Sequence, residues 1–239
     1  MEYASQLLRR EEVAEGILAV HLARPEGFRF RPGQWCFLNL PDRGLRDERG
    51  LRRHLSIASA PADEELLFAT KRSESAFKQT LARLEPGDPI SLEAPRGSLA
   101  LPEDPEIPVA LLAGGIGITP FRSLLRHELS RGSRRPITLF YSNRRPEEAP
   151  FLEELQAMDR RAEAFRLVAT MTRMHLSSTP WDGPTRRLDS AMIREGCPGW
   201  AQAHFYLAGP PPMVDAMAGV VREMGVSPER VHPEKFVGY

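Results

Sequence analysis

The spacing of hydrophobic and polar residues changes near residue 104. Before it, short apolar runs alternate with turn signals such as Pro32-Gly33 and Pro86-Gly87-Asp88, a pattern typical of an antiparallel barrel. One helix interrupts the strands, because apolar residues recur there at a helical period and Ser75 suits its N-cap. The predicted strands are residues 5–10, 16–23, 35–40, 54–59, 65–71 and 89–94, and the predicted helix is 76–84.

After a proline-rich, acidic stretch at residues 101–108, apolar strands alternate with amphipathic helices. This alternation indicates βαβ units and a parallel sheet. The predicted strands are 108–113, 136–142, 165–171 and 204–208, and the predicted helices are 120–131, 150–160, 189–195 and 211–224. We therefore predict two domains: an antiparallel β-barrel at 1–103 and a Rossmann-like α/β domain with a parallel sheet at 104–239.

Composition narrows the function classes. A formal net charge of +0 gives no reason to expect a nucleic-acid or membrane partner. The two cysteines, Cys36 and Cys197, cannot hold an iron–sulfur cluster, and no Cys/His spacing predicts zinc, so we expect no metal. No secretory signal is visible, and the apolar run 109–118 is too short to span a bilayer, so we expect a cytoplasmic protein. The oligomeric state stays open.

Two glycine-containing turns in the second part carry candidate chemistry. In the run 111–120, Gly114, Gly115 and Gly117 permit positive φ angles and close approach of a ligand. The helix that follows at Thr119-Pro120 directs free N–H groups and a positive dipole end toward an anion such as a pyrophosphate. A second strand-turn-helix junction lies at 205–213, so both strand ends are expected to face one ligand.

The first part has its own anion-binding candidates. The guanidinium of Arg53 can bind a phosphate through two hydrogen bonds, and the hydroxyl of Ser56 can bond a heteroaromatic nitrogen. The helix start at Ser75-Ala76-Phe77-Lys78 offers a second anion site. For Arg53 alone, an ordinary surface charge on a barrel strand is an equally good interpretation.

In order and spacing, these four motifs resemble the ferredoxin–NADP⁺ reductase-like flavoprotein family, over nearly the whole chain from Gly33 to Tyr239. The resemblance implies that the barrel holds FAD rather than FMN, and that the second domain binds NAD(P)H. It also implies the activity: hydride passes from NAD(P)H to FAD, and electrons then pass singly to a separate ferredoxin, flavodoxin or other acceptor.

The resemblance implies a set of site residues. Ser56 is implied near the flavin N5 and Glu234 as a proton relay, although an exposed tail carboxylate is the alternative for Glu234. The implied flavin-binding residues are Arg53, His54, Leu55, Ser56, Ala69, Thr70, Lys71, Ser75, Ala76, Phe77 and Lys78, with Phe236 and Tyr239 covering the ring. For these two aromatic residues, packing between the domains is an equally good interpretation. The implied dinucleotide-binding residues are Gly114, Gly115, Gly117, Thr119, Pro120, Gly209, Pro210, Pro211 and Met213.

Two residues depart from the family pattern. Leu55 stands where the family has an aromatic residue against the flavin, which removes a stacking contribution of about 0.5–1.5 kcal/mol. Ala208 stands where many members have a cysteine near the nicotinamide.

The residues that follow the second and third strands of the parallel sheet bear on the coenzyme. Arginine at these positions accommodates a 2′-phosphate, whereas an acid binds the ribose hydroxyl of NAD. The residues concerned are Ser142, Asn143, Arg144, Arg145, Thr172 and Arg173, so the sequence favours NADPH over NADH. The alternative is that arginines are simply frequent in this chain.

Other functions stay open. The alternatives are the reductase component of an oxygenase system, a flavin-binding redox-sensing or electron-transfer subunit without turnover alone, and a nicotinamide dehydrogenase without flavin. Five arginines make the segment 41–54 basic, which suits either docking of an acidic redox partner or a solvated loop.

Overall fold

The computed structural model describes residues 1–237, which form one antiparallel and one parallel sheet. The antiparallel sheet has the order β4-β3-β6-β1-β2-β5 and is barrel-like but not closed among these residues. Its strands are β1 (Glu2–Ala14), β2 (Ile17–Ala23), β3 (Trp35–Asn39), β4 (Arg52–Ser56), β5 (Glu65–Lys71) and β6 (Pro89–Glu93). Helix α1 (Ala76–Arg83) lies between β5 and β6 in the chain and buries Phe77 and Leu81 fully.

The parallel sheet has the order β11-β10-β7-β8-β9. Its strands are β7 (Val109–Gly114), β8 (Ile137–Asn143), β9 (Phe165–Met171), β10 (His204–Gly209) and β11 (Val231–Lys235). The helices are α2 (Ile118–Ser130), α3 (Leu152–Arg161), α4 (Ser190–Gly196) and α5 (Pro211–Glu223). Every residue of β7 is buried, as expected for a central strand of a parallel sheet. The predicted fold class is confirmed.

Within residues 1–237, none of the helices combines the length and the apolar character that a bilayer span requires.

The chain divides into two compact units. The first unit comprises residues 1–100 and 119–127, and the second comprises residues 101–118 and the chain from 128 onward. Within the first unit, Arg122 donates to the carbonyl of Ala58 at 2.7 Å and Ser123 to that of Ser59 at 2.6 Å. These bonds attach the first half of α2 to the loop that follows β4.

Three strands differ from the prediction. β4 covers Arg52–Ser56 rather than residues 54–59, because the buried Ile57 and Ala58 leave the strand pairing and donate to the carbonyls of Gln34 and Leu67. β1 runs from Glu2 to Ala14 and so includes the charged run Arg9–Glu12, because only one face of an antiparallel strand needs to be apolar. β11 was not predicted, since Pro233 and its charged neighbours resemble a loop. It pairs with β10 at the edge of the sheet, where proline is tolerated.

The stretch 101–108 is held by one buried side chain of the second unit. Arg135 is 5% exposed, and its guanidinium donates to the carbonyls of Pro102, Asp104 and Ile107 at 2.6–3.1 Å. A single arginine thus fixes a segment that has no strand or helix of its own.

Candidate functional site

Strand β4 separates the residues of its motif onto two faces. Leu55 is 3% exposed and lies on the same face as Arg53. His54 points to the opposite face, where its ring lies 5.3 Å from that of Trp35 and 5.8 Å from that of Phe37. The alternation of side chains along a strand therefore places His54 away from Arg53.

Arg53 is held by the loop that precedes it. Its Nη1 donates to the carbonyls of Arg49, Gly50 and Arg52 at 2.6–2.9 Å. Burial, and then the charge of Arg49, lower the pKa of Arg53. The guanidinium lies 5.7 Å from the centroid of the Phe77 ring, so the fold brings Arg53 close to the start of α1.

The N-terminus of α1 binds a carboxylate that the sequence interpretation missed. Ser75 caps the helix by accepting from the Lys78 N–H, and the Ala76 N–H donates to Oδ2 of Asp47 at 2.8 Å. Oδ1 of Asp47 lies 3.6 Å from Nη2 of Arg53. The bond from Ala76 is the main cause of the lowered pKa of Asp47.

A local signal for Asp47 does exist in the sequence. Its side chain accepts from the Arg49 N–H at 2.9 Å, which is an Asx-turn of the kind that aspartate favours. Its contact with Ala76, 29 residues away, is set by the tertiary fold.

Further cationic and polar groups lie around the start of α1. Lys78 is 8% exposed, and its pKa is lowered to about 8 by burial and then by Arg49, Arg53 and Lys71. On β5, Lys71 is exposed, whereas Ala69 and Thr70 are buried. The hydroxyl of Thr70 has no hydrogen-bond partner among the described residues. Cations whose charge is partly desolvated are stabilised by an anion, so this set fits the phosphates of a flavin nucleotide.

Ser56 ends β4 and is paired in register with Trp35 of β3. Its side chain is 8% exposed. Strand pairing fixes the backbone position of Ser56, and its hydroxyl can rotate to meet a ligand atom.

The two glycine turns of the second unit meet, because β7 and β10 are neighbours. A Cβ on Gly117 would lie 2.2 Å from the carbonyl oxygen of Ala208, and a Cβ on Gly209 would lie 3.0 Å from that of Gly114. Gly115 has a φ of +53° and open space where a side chain would be. Gly117 and Gly209 therefore allow the two turns to pack closely, whereas Gly115 leaves space for a ligand.

The helices that follow these turns begin where the sequence predicts. A short 3-10 turn at Gly115–Gly117 leads into α2, in which Thr119 and Pro120 are buried. In the second turn, Pro210 precedes α5, Pro211 is its first residue, and the sulfur of Met213 lies 3.2 Å from the Cβ position of Gly114.

The candidate coenzyme-binding arginines at the ends of β8 and β9 differ in their exposure and their ion pairs. The Arg173 N–H donates to the Arg144 carbonyl at 2.8 Å, and both side chains are exposed. Arg145 instead forms ion pairs with Glu148 at 2.6 Å and Glu147 at 3.3 Å.

The remaining residues of these strand ends lie beside the arginines. The Thr172 N–H donates to the Asn143 carbonyl at 2.9 Å, while Asn143 is buried and Ser142 is half-buried. Of the arginines at these two strand ends, Arg144 and Arg173 are therefore exposed, whereas Arg145 is paired with acids.

The C-terminal strand presents Glu234 beside the second turn. Glu234 is in register with Ala208, and its Oε2 has no hydrogen-bond partner among residues 1–237. Burial raises the pKa of Glu234 to about 7. The Phe236 N–H donates to the Gly209 carbonyl at 2.9 Å, whereas Tyr239 lies outside the described residues.

The basic segment 41–54 is largely neutralised by its own neighbours. Arg43 pairs with Asp88, Arg46 with Asp42 at 2.6 Å, and Arg52 with Glu93 at 2.6 Å. These pairs favour the solvated-loop interpretation over a free basic docking surface.

Comparison with known proteins identifies the family. The model of the oxidoreductase NAD-binding domain matches residues 111–219. The chain is 30% identical to ferredoxin–NADP reductase B of Sorangium cellulosum, over 92% of this chain and 90% of that protein. This chain belongs to the ferredoxin–NADP reductase family.

Other relatives of this reductase are longer proteins. It is 29% identical to the propane 2-monooxygenase reductase component of Rhodococcus jostii, over 97% of this chain. It spans 63%, 67% and 55% of the length of three such reductase components. A crystal structure of a ferredoxin NADP⁺ reductase from Neisseria gonorrhoeae, with bound FAD and NADP, has the same fold, with a TM-score of 0.80, 23% identity and 98% of each chain covered.

Proposed function

We propose that this protein is an FAD-dependent NADPH reductase that delivers electrons to a separate ferredoxin, flavodoxin or other acceptor. The observation that supports the proposal is that each unit groups residues whose chemistry suits an anion. Arg53, Lys78 and the start of α1 form one in the first unit. The paired glycine turns at 114–117 and 209–213 form the other in the second unit.

The division of labour follows from these two arrangements. The first unit binds the flavin phosphates through Arg53, Lys78 and the N–H groups of α1, and the second unit binds the coenzyme pyrophosphate at the open Gly115. When bound, FAD supplies the chemistry, since it accepts a hydride from a nicotinamide and releases electrons one at a time. The protein residues orient and stabilise the bound groups.

Two residues have proposed chemical roles. The hydroxyl of Ser56 would hydrogen-bond the flavin at N5, the atom that receives the hydride. Glu234 exchanges a proton, and its pKa of about 7 suits proton transfer at neutral pH. Phe236 provides apolar cover near the Gly209 turn.

The proposed preference for NADPH rests on the arginines at the ends of β8 and β9. Arg144 and Arg173 are exposed and adjacent, so their guanidinium groups can share a 2′-phosphate. Arg145 is occupied by Glu147 and Glu148 and is excluded from this role.

A second candidate function is the reductase component of an oxygenase system. It is favoured by the likeness to propane 2-monooxygenase reductase components and to the toluate 1,2-dioxygenase electron transfer component of Pseudomonas putida. The chemistry within this chain would be the same, and the acceptor would be an oxygenase protein. A cytoplasmic location is proposed with either function, on the basis of the free and buried Cys36 and Cys197.

The test is an anaerobic absorption titration of the purified protein reconstituted with FAD. We expect FAD to bind, and one equivalent of NADPH to bleach the flavin bands faster than NADH does. Transfer to added ferredoxin or flavodoxin should then follow with multiple turnovers.

Each other outcome selects a different function. Bound FAD that is reduced but not reoxidised by ferredoxin or flavodoxin indicates the oxygenase component. Bound FAD that neither coenzyme reduces indicates a sensing or electron-transfer subunit. Absence of FAD binding after reconstitution overturns the proposal.

A further inference from the structure

The loop between β3 and β4, residues 40–51, engages both groups to which the proposed function assigns the flavin phosphates. Its backbone carbonyls at Arg49 and Gly50 accept from Arg53. Asp47 of the same loop contacts the start of α1, because its carboxylate accepts a hydrogen bond from the Ala76 N–H at 2.8 Å. The loop therefore contacts Arg53 through backbone carbonyls and the start of α1 through the carboxylate of Asp47.

The carboxylate of Asp47 has the chemistry of a phosphate at this position. Oδ2 accepts from a free N–H at a helix N-terminus, and Oδ1 lies 3.6 Å from a guanidinium nitrogen of Arg53. Phosphate oxygens accept hydrogen bonds from the same two kinds of group, a backbone N–H at the positive end of a helix and an arginine. One N–H cannot make a full-strength hydrogen bond to both anions at once.

We propose that Asp47 is an internal competitor for the flavin phosphate, and that FAD binding displaces its carboxylate from the start of α1. This inference rests on the proposed function, since it takes the flavin phosphate as the incoming anion. Asp47 then sets the affinity for FAD without touching the isoalloxazine ring.

If Asp47 bound FAD directly, its neutralisation would change the affinity for FAD in the opposite direction. If the carboxylate stayed in place and accepted a hydrogen bond from a ribose hydroxyl of FAD, its neutralisation would weaken binding. The sign of the change in FAD affinity therefore decides between competition and direct binding.

The experiment is a titration of the flavin-free protein with FAD, followed by flavin fluorescence, for the wild type and Asp47→Asn. Asparagine keeps the side-chain oxygen and the shape but loses the charge. Relative to the wild type we expect FAD to bind about twofold to fivefold more tightly, the range of a single charge at a helix end. Riboflavin, which has no phosphate, should bind the two proteins equally.

Asp42→Asn is the matched control. Asp42 lies on the same loop and carries the same charge, but its carboxylate pairs with Arg46 and the Gly44 N–H and not with α1. It should leave the affinity for FAD within about 1.5-fold of the wild type. Equal tightening by Asp42→Asn and Asp47→Asn, or unchanged or weaker binding by Asp47→Asn, overturns the proposal.

Calorimetry with inorganic pyrophosphate separates this inference from the proposed function. If no variant binds FAD, the proposed function fails, yet tighter pyrophosphate binding by Asp47→Asn than by the wild type still supports Asp47 as a competitor. If the wild type binds FAD while neither FAD nor pyrophosphate binds Asp47→Asn more tightly than the wild type, the proposed function stands and the inference about Asp47 fails.

Discussion

At the scale of single residues, the exposed arginines at the ends of β8 and β9 set the coenzyme preference in our proposal. Replacing both Arg144 and Arg173 with alanine should lower kcat/KM for NADPH about tenfold, because hydrogen bonds from guanidinium to phosphate are lost. The value for NADH should change by less than about twofold, since NADH has no 2′-phosphate. Steady-state kinetics with both coenzymes measures the ratio.

The control for this pair is Arg166→Ala, an exposed arginine near the start of β9 rather than its end. It should leave both coenzymes unaffected. An equal loss with NADPH and NADH in the double variant would show that the two arginines do not read the 2′-phosphate.

Glu234 gives a prediction about pH and stability. Its folded pKa of about 7 lies above its ordinary value of 4.5, so the folded state prefers the neutral carboxyl. The resulting destabilisation is absent below pH 4.5, grows between 4.5 and 7, and is complete above 7. Glu234→Gln should therefore be more stable than the wild type at pH 8, and the difference should shrink at pH 5, as measured by urea midpoints.

Glu229→Gln is the contrasting variant. The hydrogen bond from Ser227 is the main cause of the lowered pKa of Glu229, so this carboxylate stabilises the fold when ionised. Its replacement should lower stability at pH 8. Parallel behaviour of the two variants would contradict the assignment for Glu234.

At the scale of elements, the glycine turns are fixed by backbone packing. Gly117→Ala should lower the free energy of unfolding by at least about 2 kcal/mol, because its Cβ would lie 2.2 Å from the Ala208 carbonyl oxygen, and a backbone atom cannot move aside as a side chain can. Chemical denaturation followed by circular dichroism measures the change.

Gly219→Ala is the matched control, since Gly219 lies within α5 and a Cβ there meets nothing within 4 Å. The same substitution should stabilise the protein by about 0.5–1 kcal/mol through helix propensity. Destabilisation by both alanines would point to a general loss of flexibility rather than to a close backbone approach.

The elements themselves were largely predictable. Each predicted helix corresponds to one of α1–α5, and the two turns beside β7 and β10 lie where their glycines predict. β11 was missed because edge strands tolerate proline and charge, which remove the apolar alternation on which prediction depends.

At the scale of the whole molecule, the two units should respond to different ligands. Hydrogen exchange should slow at 52–56 and 75–83 when FAD is added, and at 114–118, 142–145 and 209–213 when NADP⁺ is added. A ligand that binds only the native state stabilises it by about 2.7 kcal/mol at 100 times its Kd, which is enough to measure by exchange. Protection of the same residues by both ligands would contradict the assignment of one cofactor to each unit.

The sequence by itself determined the order and type of the elements, and with them the two anion-binding turns and the helix start at Ser75. These features are local: the period of apolar residues follows from backbone geometry, and a glycine or an N-cap acts within a few residues. Motifs of this kind can be recognised before any fold is known.

Only the tertiary structure decided which charges meet. It placed Asp47 on the start of α1, and it paired Arg43 with Asp88 and Arg52 with Glu93. The partners of such groups depend on which segments the folded chain brings together, and nothing in the local pattern specifies a contact across 29 residues. The site is therefore composed of locally encoded turns whose charge balance is set by long-range packing.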